Sequence, residues 1–181
     1  MKINLGCGDK KVDGYISVDY DPNTNPDYVV DLEKGNLPFE DNSVDTILAH
    51  HVLEHLGEGY FHCLQEIYRV AKHGAILSVQ VPHHRCDDFF SDPTHRRAIT
   101  VDGLRLFSKK YNQLAREQNA HASRLAEYFN VDFEVVEFIH RPRKEYIDIF
   151  TGKQREEVER YMFEHANIID EVHVRLVVVK E

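Results

Sequence analysis

Strand-like and helix-like segments alternate along the first half of the chain, and this alternation constrains the fold more than any other feature. Short runs of strand composition are predicted at residues 2–5, 15–19, 28–31 and 44–49. Residues 60–72 carry apolar side chains three and four positions apart, which predicts an amphipathic helix. A continuous apolar run at residues 75–81 predicts a buried strand. Such alternation is typical of a mainly parallel α/β sheet.

The second half begins with a polar, irregular stretch at residues 83–99. A loop of this length inside a compact domain is usually functional. Thr100 is the predicted N-cap of a short helix that ends near residue 107. Further helices are predicted at residues 111–129 and 153–168, and strands at residues 132–140 and 172–179. We expect the final strand, helix and strand to complete one edge of the sheet.

The length of 181 residues suits a single domain over residues 1–181, large enough to bury a core without disulfides. The cysteines Cys7, Cys63 and Cys86 are odd in number and scattered, which favours a reduced, cytoplasmic setting. No apolar run approaches the roughly 18 residues of a membrane span, and the N-terminus shows no secretory signal. We therefore expect no membrane partner.

The charge balance argues against a nucleic-acid partner. The chain has 22 basic and 31 acidic residues and a net charge of −9, whereas DNA binding depends on phosphate neutralisation. The middle third is locally basic, and the residues concerned are Arg85, Arg96, Arg97, Arg105, Lys109 and Lys110. This basic stretch is either a solvated face or a means of attracting an anionic substrate.

A glycine turn and an acidic residue point to a nucleoside-bearing cofactor. Gly6 and Gly8 follow the first predicted strand, and Asp19 ends the second. Glycine allows close backbone approach to a ligand, and an acid at the second strand end can accept hydrogen bonds from ribose. The dinucleotide fingerprint itself fails, because Lys11 stands where it requires its third glycine.

Only residues 9–14 connect the first two predicted strands. A parallel crossover normally takes a dozen residues or more, usually with a helix. The return path is roughly 17 Å at about 3.3 Å per residue, and six extended residues reach roughly 20 Å. We therefore predict a taut loop with the usual helix missing. One face of the sheet is then left for another segment, or for a second subunit in a homodimer, to cover.

Five segments in a fixed order carry a family resemblance. They are INLGCG (3–8), SVDYD (17–21), VVDLE (29–33), LPFEDNSVDTILAHHVLEHL (37–56) and EIYRVAKHGAILSVQVP (66–82). In this order and spacing, the chain resembles the class I S-adenosylmethionine-dependent methyltransferases, particularly small-molecule and sugar methyltransferases. The resemblance covers about residues 1–82 and is weaker over residues 91–108.

The resemblance implies a Rossmann-like, mainly parallel α/β sheet of about seven strands with an antiparallel last strand, and S-adenosylmethionine as cofactor. It also implies a set of cofactor-binding positions. Gly6, Cys7 and Gly8 match the turn around the methionine part of the cofactor, and His50 matches a position beside it. Asp19 matches the acidic residue that binds the ribose. Tyr20, Asp31 and Leu32 match the positions that contact the adenine. The short link after Gly8 departs from the family pattern.

A first histidine cluster reads His51-x-x-Glu54-His55, the spacing of one class of zinc peptidase. The pattern directly follows a predicted buried strand, and Gly57 leaves room only for a stub of helix. We therefore discount a peptidase. Structural packing of these histidines, or a cofactor- or substrate-facing role for His50 and His51, both remain open.

A second cluster in residues 83–99 supplies the catalytic candidates. A hydroxyl acceptor must lose a proton, and histidine is the usual base near neutral pH. We predict His95 and His84 as candidate bases, with Asp92 to orient or replace them, and we assign no metal ligand. A polar surface loop, or a divalent metal held by its carboxylates and histidines, are the alternatives.

These observations predict methyl transfer from S-adenosylmethionine to a small polar acceptor, as O-methylation of a sugar or an anionic metabolite. Residues 83–99 and the helix at 100–108 would form the acceptor pocket. The alternative is a cofactor-binding module without catalysis that serves a partner subunit.

Overall fold

A computed structural model describes residues 1–180 of the chain. Seven strands form one sheet in the order β3-β2-β1-β4-β5-β7-β6. The strands are β1 (Lys2–Leu5), β2 (Ile16–Asp19), β3 (Tyr28–Val29), β4 (Val44–His50), β5 (Ala71–Pro82), β6 (Phe133–Pro142) and β7 (Ile169–Val178). The helices are α1 (Tyr60–Val70), α2 (Asp87–Ser91), α3 (Val101–Arg105), α4 (Lys109–Glu117), α5 (Leu125–Phe129), α6 (Lys144–Phe150) and α7 (Arg155–Glu164). Within residues 1–180 no helix has the length and apolar character needed to cross a membrane.

The pairing of the strands confirms the predicted fold class. β1 pairs in parallel with β2 and β4, and the parallel pairing extends to β3 on one side and β5 on the other. β7 inserts antiparallel between β5 and β6. The sheet is therefore seven-stranded and mainly parallel, with the last strand antiparallel.

The core lies on the central strands. Ile3 and Leu5 of β1 and Ile47 of β4 are fully buried. Helix α1 covers one face with Leu64, Ile67 and neighbouring apolar residues at helical spacing. In β4 and β5 buried residues alternate with partly exposed ones, so one face of these strands is packed more fully than the other.

No helix follows β1, as the length of the link predicted. Between Gly8 and β2 the chain forms turns, with a hydrogen bond from the Lys10 amide to the Cys7 carbonyl. The Cys7 amide donates to the Val18 carbonyl, which holds the first turn against β2. A parallel crossover is thus completed by a short loop that contains turns but no helix.

Several predicted boundaries were wrong. The helix predicted at residues 111–129 is two helices, α4 and α5, because Asn119 adopts a left-handed φ of 52° after α4 ends. The helix predicted at 153–168 is the shorter α7, and α6 was not predicted. Helix α1 ends at Val70 because Ala71 already pairs with Val44 at the start of β5.

The order of the strands positions the site. β1 has β2 on one side and β4 on the other, so successive connections leave in opposite directions from this point. Ligands of open α/β sheets bind at the carboxyl ends of the strands where the order reverses.

Candidate active site

A cavity of about 630 Å³ opens at the carboxyl ends of β1, β2 and β4. Its size falls in the range of small-molecule sites. It is lined by Gly6, Gly8, Asp19, Tyr20, Asp21, Thr24, Asp31, Leu32, Glu33, His51, Val52, His55, Leu56, Thr94 and Arg96. Six of the eight predicted cofactor-binding residues are among them, so the sequence motifs converge on one cavity.

The glycine turn forms the floor of this cavity. Gly6 has a φ of 58°, and a Cβ there would lie 2.3 Å from Val52 Cγ2. Gly8 also has a positive φ of 49°, but open space surrounds the position of its absent side chain. Gly6 is therefore required by contact with the segment after β4, whereas Gly8 leaves room for a ligand.

Asp19 connects the turn to the end of β2. Its carboxylate is buried and accepts hydrogen bonds from the Gly8 amide at 2.8 Å and the Asp21 amide at 3.0 Å. A carboxylate has about four acceptor positions, so these two bonds leave capacity for ribose hydroxyls. Asp19 both braces the turn and presents acceptors to the cavity.

The predicted adenine contacts form one wall. Tyr20 is 76% exposed and Leu32 is buried. Asp31 accepts a hydrogen bond from the Glu33 amide and forms an ion pair with Lys34, so part of its carboxylate stabilises its own turn.

Cys7 and His50, the other two predicted cofactor residues, do not line the cavity. Cys7 is buried beneath the glycine turn. The His50 ring forms a hydrogen bond of 3.1 Å with Ser78 Oγ, and burial lowers the pKa of the ring. The structure therefore places Cys7 and His50 outside the set of residues that line the cavity.

His51 lines the cavity and has a strained backbone. Its φ is 55°, a left-handed conformation that residues other than glycine rarely adopt. Its Nδ1 lies 3.5 Å from Glu54 Oε1, and its Nε2 lies 3.2 Å from Glu171 Oε1. The interaction with Glu54 and the charge of Glu171 raise the pKa of the ring. The sequence indicated this residue through the His51-x-x-Glu54-His55 pattern, for which a cofactor- or substrate-facing role was left open.

Two of the three predicted catalytic residues lie beside the cavity. The His95 ring is stacked on Phe89 and its Nδ1 is 2.7 Å from the Phe89 carbonyl oxygen. Asp92 accepts hydrogen bonds from the Thr94 hydroxyl and amide, which lower the pKa of its carboxyl. Thr94 and Arg96, on either side of His95, line the cavity.

His84, the third predicted catalytic residue, lies in another cavity of about 510 Å³. Arg85, Arg105 and His140 also line this second cavity. Burial and the neighbouring Arg85 lower the pKa of His84. The predicted acceptor loop is thus divided between two cavities rather than gathered in one.

Sequence reasoning missed several lining residues, of which Arg96 and Glu33 are the most informative. Glu33 Oε1 accepts a hydrogen bond from the Gly57 amide at 2.7 Å. The Arg96 side chain forms no ion pair with any residue in the part of the chain that the structure describes, residues 1–180. Packing of the loops brings the Arg96 and Glu33 side chains to the cavity. No local sequence pattern predicts this position for either residue.

Residues 4–79 match the family described as a methyltransferase domain. Over these residues the chain is similar to class I S-adenosylmethionine-dependent methyltransferases. This similarity implies S-adenosylmethionine as the cofactor. The residues present fit this group, because Gly8 leaves open space, Asp19 keeps free acceptor positions and Leu32, Val52 and Leu56 provide an apolar wall.

Solved structures with this fold have low sequence identity to this chain. A SAM-dependent methyltransferase from Archaeoglobus fulgidus is 18% identical, with a TM-score of 0.60 over 98% of this chain and 85% of the other. One from Methanosarcina mazei is 15% identical, with a TM-score of 0.56 over 99% and 92%.

A third similar structure comes from the complex between the Haloferax volcanii Trm112 methyltransferase activator and a methyltransferase. It is 18% identical, with a TM-score of 0.53 over 99% of this chain and 82% of the other. At these identities the likeness shows the fold alone. No curated protein sequence matches the chain.

Proposed function

We propose that this methyltransferase transfers the methyl group to a hydroxyl of a small polar acceptor, a sugar or an anionic metabolite. One observation carries the proposal. The contacting rings of His55 and His95 lie beside Thr94 and Arg96, which line the cofactor cavity. The bound cofactor supplies a methyl group on an electrophilic sulfonium. The protein then has to position the acceptor and remove its proton.

The proposed cofactor residues lie in three parts of the cavity, one for each part of S-adenosylmethionine. Gly6 and Gly8 receive the methionine part, Asp19 the ribose, and Tyr20 with Leu32 the adenine. The acidic residues of the lining favour a ligand with a positively charged sulfonium. Arg96 is the group of opposite charge, and we assign it to the methionine carboxylate.

His95 has the protonation state that a proton acceptor needs. The Phe89 carbonyl can only accept a hydrogen bond, so His95 Nδ1 carries the hydrogen and Nε2 keeps its lone pair in the neutral ring. Asp92 Oδ2 is 3.8 Å from Nε2, where its charge can stabilise the ring once Nε2 has taken up a proton. These contacts support the predicted roles of His95 and Asp92 in removing the acceptor proton.

The second cavity supports an anionic or polyhydroxylated acceptor. Arg85, Arg105 and the rings of His83, His84 and His140 line it. In the proposal, His84 contacts the acceptor there. A competing role for His84 as the base predicts a larger loss of the maximal rate than of acceptor affinity when it is replaced by alanine.

A protein partner is also part of the proposal. The loop at residues 9–14 leaves one sheet face without a crossover helix, and Val12 in it is 40% exposed. The Haloferax methyltransferase is found with an activator protein. For this chain we propose a homodimer over that loop. Light scattering across a concentration series tests it, and a monomer at every concentration contradicts it.

Titration calorimetry with S-adenosylhomocysteine tests the cofactor site. We expect Asp19→Ala to weaken binding strongly, and Asp13→Ala, in the exposed loop, to leave it unchanged. Release of S-adenosylhomocysteine is then measured with a panel of sugars and anionic metabolites. Binding without release from any hydroxyl acceptor would contradict the proposal and favour a module that binds the cofactor without catalysis.

A further inference from the structure

We propose that Glu54, His55 and His95 form a binding site for one divalent transition-metal ion at the edge of the cofactor cavity. Each residue offers one ligand atom, and these atoms all lie within 4.8 Å of one another. Small rotations of the side chains would bring them to the 2.0–2.2 Å that zinc requires. The sequence-based prediction, in contrast, assigned no metal ligand.

Glu54 is the first argument for this metal site. Its side chain is fully buried, and neither carboxylate oxygen has a hydrogen-bond partner among residues 1–180. The His51 ring, which is charged only when protonated, has its Nδ1 3.5 Å from Oε1. That contact leaves Oε2 without a partner. A buried carboxylate in this position is costly unless a cation lies beside it.

The hydrogen bonds of the two histidines are the second argument. The Thr94 hydroxyl has one hydrogen, which it donates to Asp92 Oδ1 at 2.6 Å. His55 Nδ1, 2.8 Å from the same hydroxyl oxygen, must therefore be the donor in their hydrogen bond. The Phe89 carbonyl imposes the same state on His95. In both rings Nδ1 carries the hydrogen, and Nε2 keeps the lone pair that binds a cation.

This arrangement matches the outer shell of known metal histidines. The second nitrogen of such a ring usually donates its N–H hydrogen to a carbonyl or another oxygen acceptor, and this bond fixes the tautomer and the orientation of the ring. Here Thr94 and the Phe89 carbonyl supply those acceptors, and Asp92 holds Thr94 in turn. The outer contacts are therefore already formed by the protein.

The donor set indicates the kind of ion. Two imidazoles and one carboxylate suit zinc and neighbouring first-row metals, whereas magnesium and calcium prefer oxygen ligands throughout. Three protein ligands leave a coordination position for a substrate or water. His55 lines the cofactor cavity, so we infer that the open position faces it.

The catalytic consequence of the ion rests on the proposed function. An acceptor hydroxyl bound to the ion has a lowered pKa and loses its proton to solvent. The oxygen then forms a bond to the methyl carbon as the bond from that carbon to sulfur breaks, and S-adenosylhomocysteine leaves. In this scheme His95 serves as a ligand rather than as the base.

The test is a titration of the chelator-treated full-length protein with Co²⁺, followed by visible absorption, and with Zn²⁺, followed by calorimetry. Neither experiment contains the cofactor or an acceptor. We expect one ion to bind per chain. The visible absorption bands of the bound Co²⁺ should be those of an ion with a low coordination number. His95→Ala and Glu54→Gln should each weaken binding at least tenfold, while His121→Ala, at an exposed histidine, should leave it unchanged.

Thr94→Ala removes the outer contact of His55 without removing a ligand, and we expect about a 10–100-fold loss of affinity. Zinc should also raise the melting temperature of the wild type but not that of Glu54→Gln, which keeps the shape of the side chain if the variant folds. Circular dichroism verifies that each variant is folded.

Absence of stoichiometric binding, or equal binding by Glu54→Gln, His95→Ala and wild type, would overturn the metal site. Failure of the proposed function gives a different result, since no hydroxyl acceptor would then be methylated while the cobalt spectrum stayed intact. Methyl transfer that is unchanged by chelation would refute the catalytic role of the ion.

Discussion

Gly6 and Gly8 occupy similar left-handed conformations for different physical reasons. Gly6 lies so close to Val52 that a side chain at this position would overlap with it, so glycine is needed here for packing. Gly8 faces open space, and its amide donates to Asp19. The same motif therefore combines a packing requirement at Gly6 with open space beside the cavity at Gly8.

These differences predict unequal effects of alanine at the two positions. At both, a positive φ costs about 1–3 kcal/mol. At Gly6 overpacking against Val52 adds about 1–3 kcal/mol. Gly6→Ala should therefore lose more unfolding free energy than Gly8→Ala in urea denaturation. Adding Val52→Ala to Gly6→Ala should recover part of that loss, and a purely additive double variant would contradict the proposed overlap.

His83 provides a prediction for the dependence of stability on pH. Burial, with the nearby His84, His140 and Arg85, lowers the pKa of His83 to about 4, against about 6.5 for an ordinary histidine. Between these values the unfolded chain binds a proton that the folded chain does not. Stability from this group is thus fully present above about pH 6.5 and is lost as the pH falls toward 4.

We expect His83→Gln to reduce the fall in melting temperature between pH 7 and pH 5, measured by differential scanning calorimetry. His121→Gln, at an exposed position, should show the fall of the wild type. An identical fall in His83→Gln would show that other groups dominate the acid response.

Individual site residues were predictable where backbone chemistry dictates them. Gly8 and Asp19 could be read from the sequence because a turn and a strand end require those residue types. The sequence indicated Glu54 only within a zinc-peptidase pattern that was discounted, and Arg96 only within a basic stretch. Their place in the site could not be predicted, because loops distant in the chain bring them together. The strained φ of His51 also has no local signature.

At the scale of elements, strands were easier to predict than helices. β1 has its predicted limits, since apolar residues bounded by a glycine turn leave few alternatives. The helix predicted across residues 111–129 was wrong because Asn119 and the segment that follows it interrupt a sequence with helical composition. Helix termination there depends on backbone conformation rather than on hydrophobic periodicity.

Helix α3 offers a test of capping near the second cavity. The Thr100 hydroxyl accepts a hydrogen bond from the Gly103 amide at 3.0 Å. Thr100→Ala should therefore cost about 1 kcal/mol of unfolding free energy, measured by urea denaturation. Thr100→Ser keeps the cap and should stay close to the wild type. Equal losses in both variants would point to the Thr100 methyl group instead of its hydroxyl.

At the scale of the whole molecule, β7 connects the two parts of the sheet. It pairs with β5 on one side and with β6 on the other. The two predicted strands at the end of the chain were confirmed as sheet elements, and the antiparallel last strand was implied by the family resemblance. The insertion of β7 between β5 and β6, which leaves β6 at the edge, was not predicted.

Two adjacent residues of β7 should respond very differently to substitution. Val174 is 2% exposed and lies between Val79 and Phe138. Val174→Asp buries a charge without a partner and should abolish the cooperative urea transition. Arg175→Gln removes only a surface ion pair with Glu137 and should cost less than about 1 kcal/mol. A cooperative transition in Val174→Asp near that of the wild type would contradict the central role of β7.

The place of β7 in the sheet also bears on how the protein is made. Translation proceeds from the N-terminus, so the outer backbone groups of β5 have no partner until residues 169–178 leave the ribosome. An open strand edge is a template for pairing with other chains. The nascent chain therefore exposes an aggregation-prone edge while residues 83–168 are synthesised, and chaperone demand should fall only when β7 emerges.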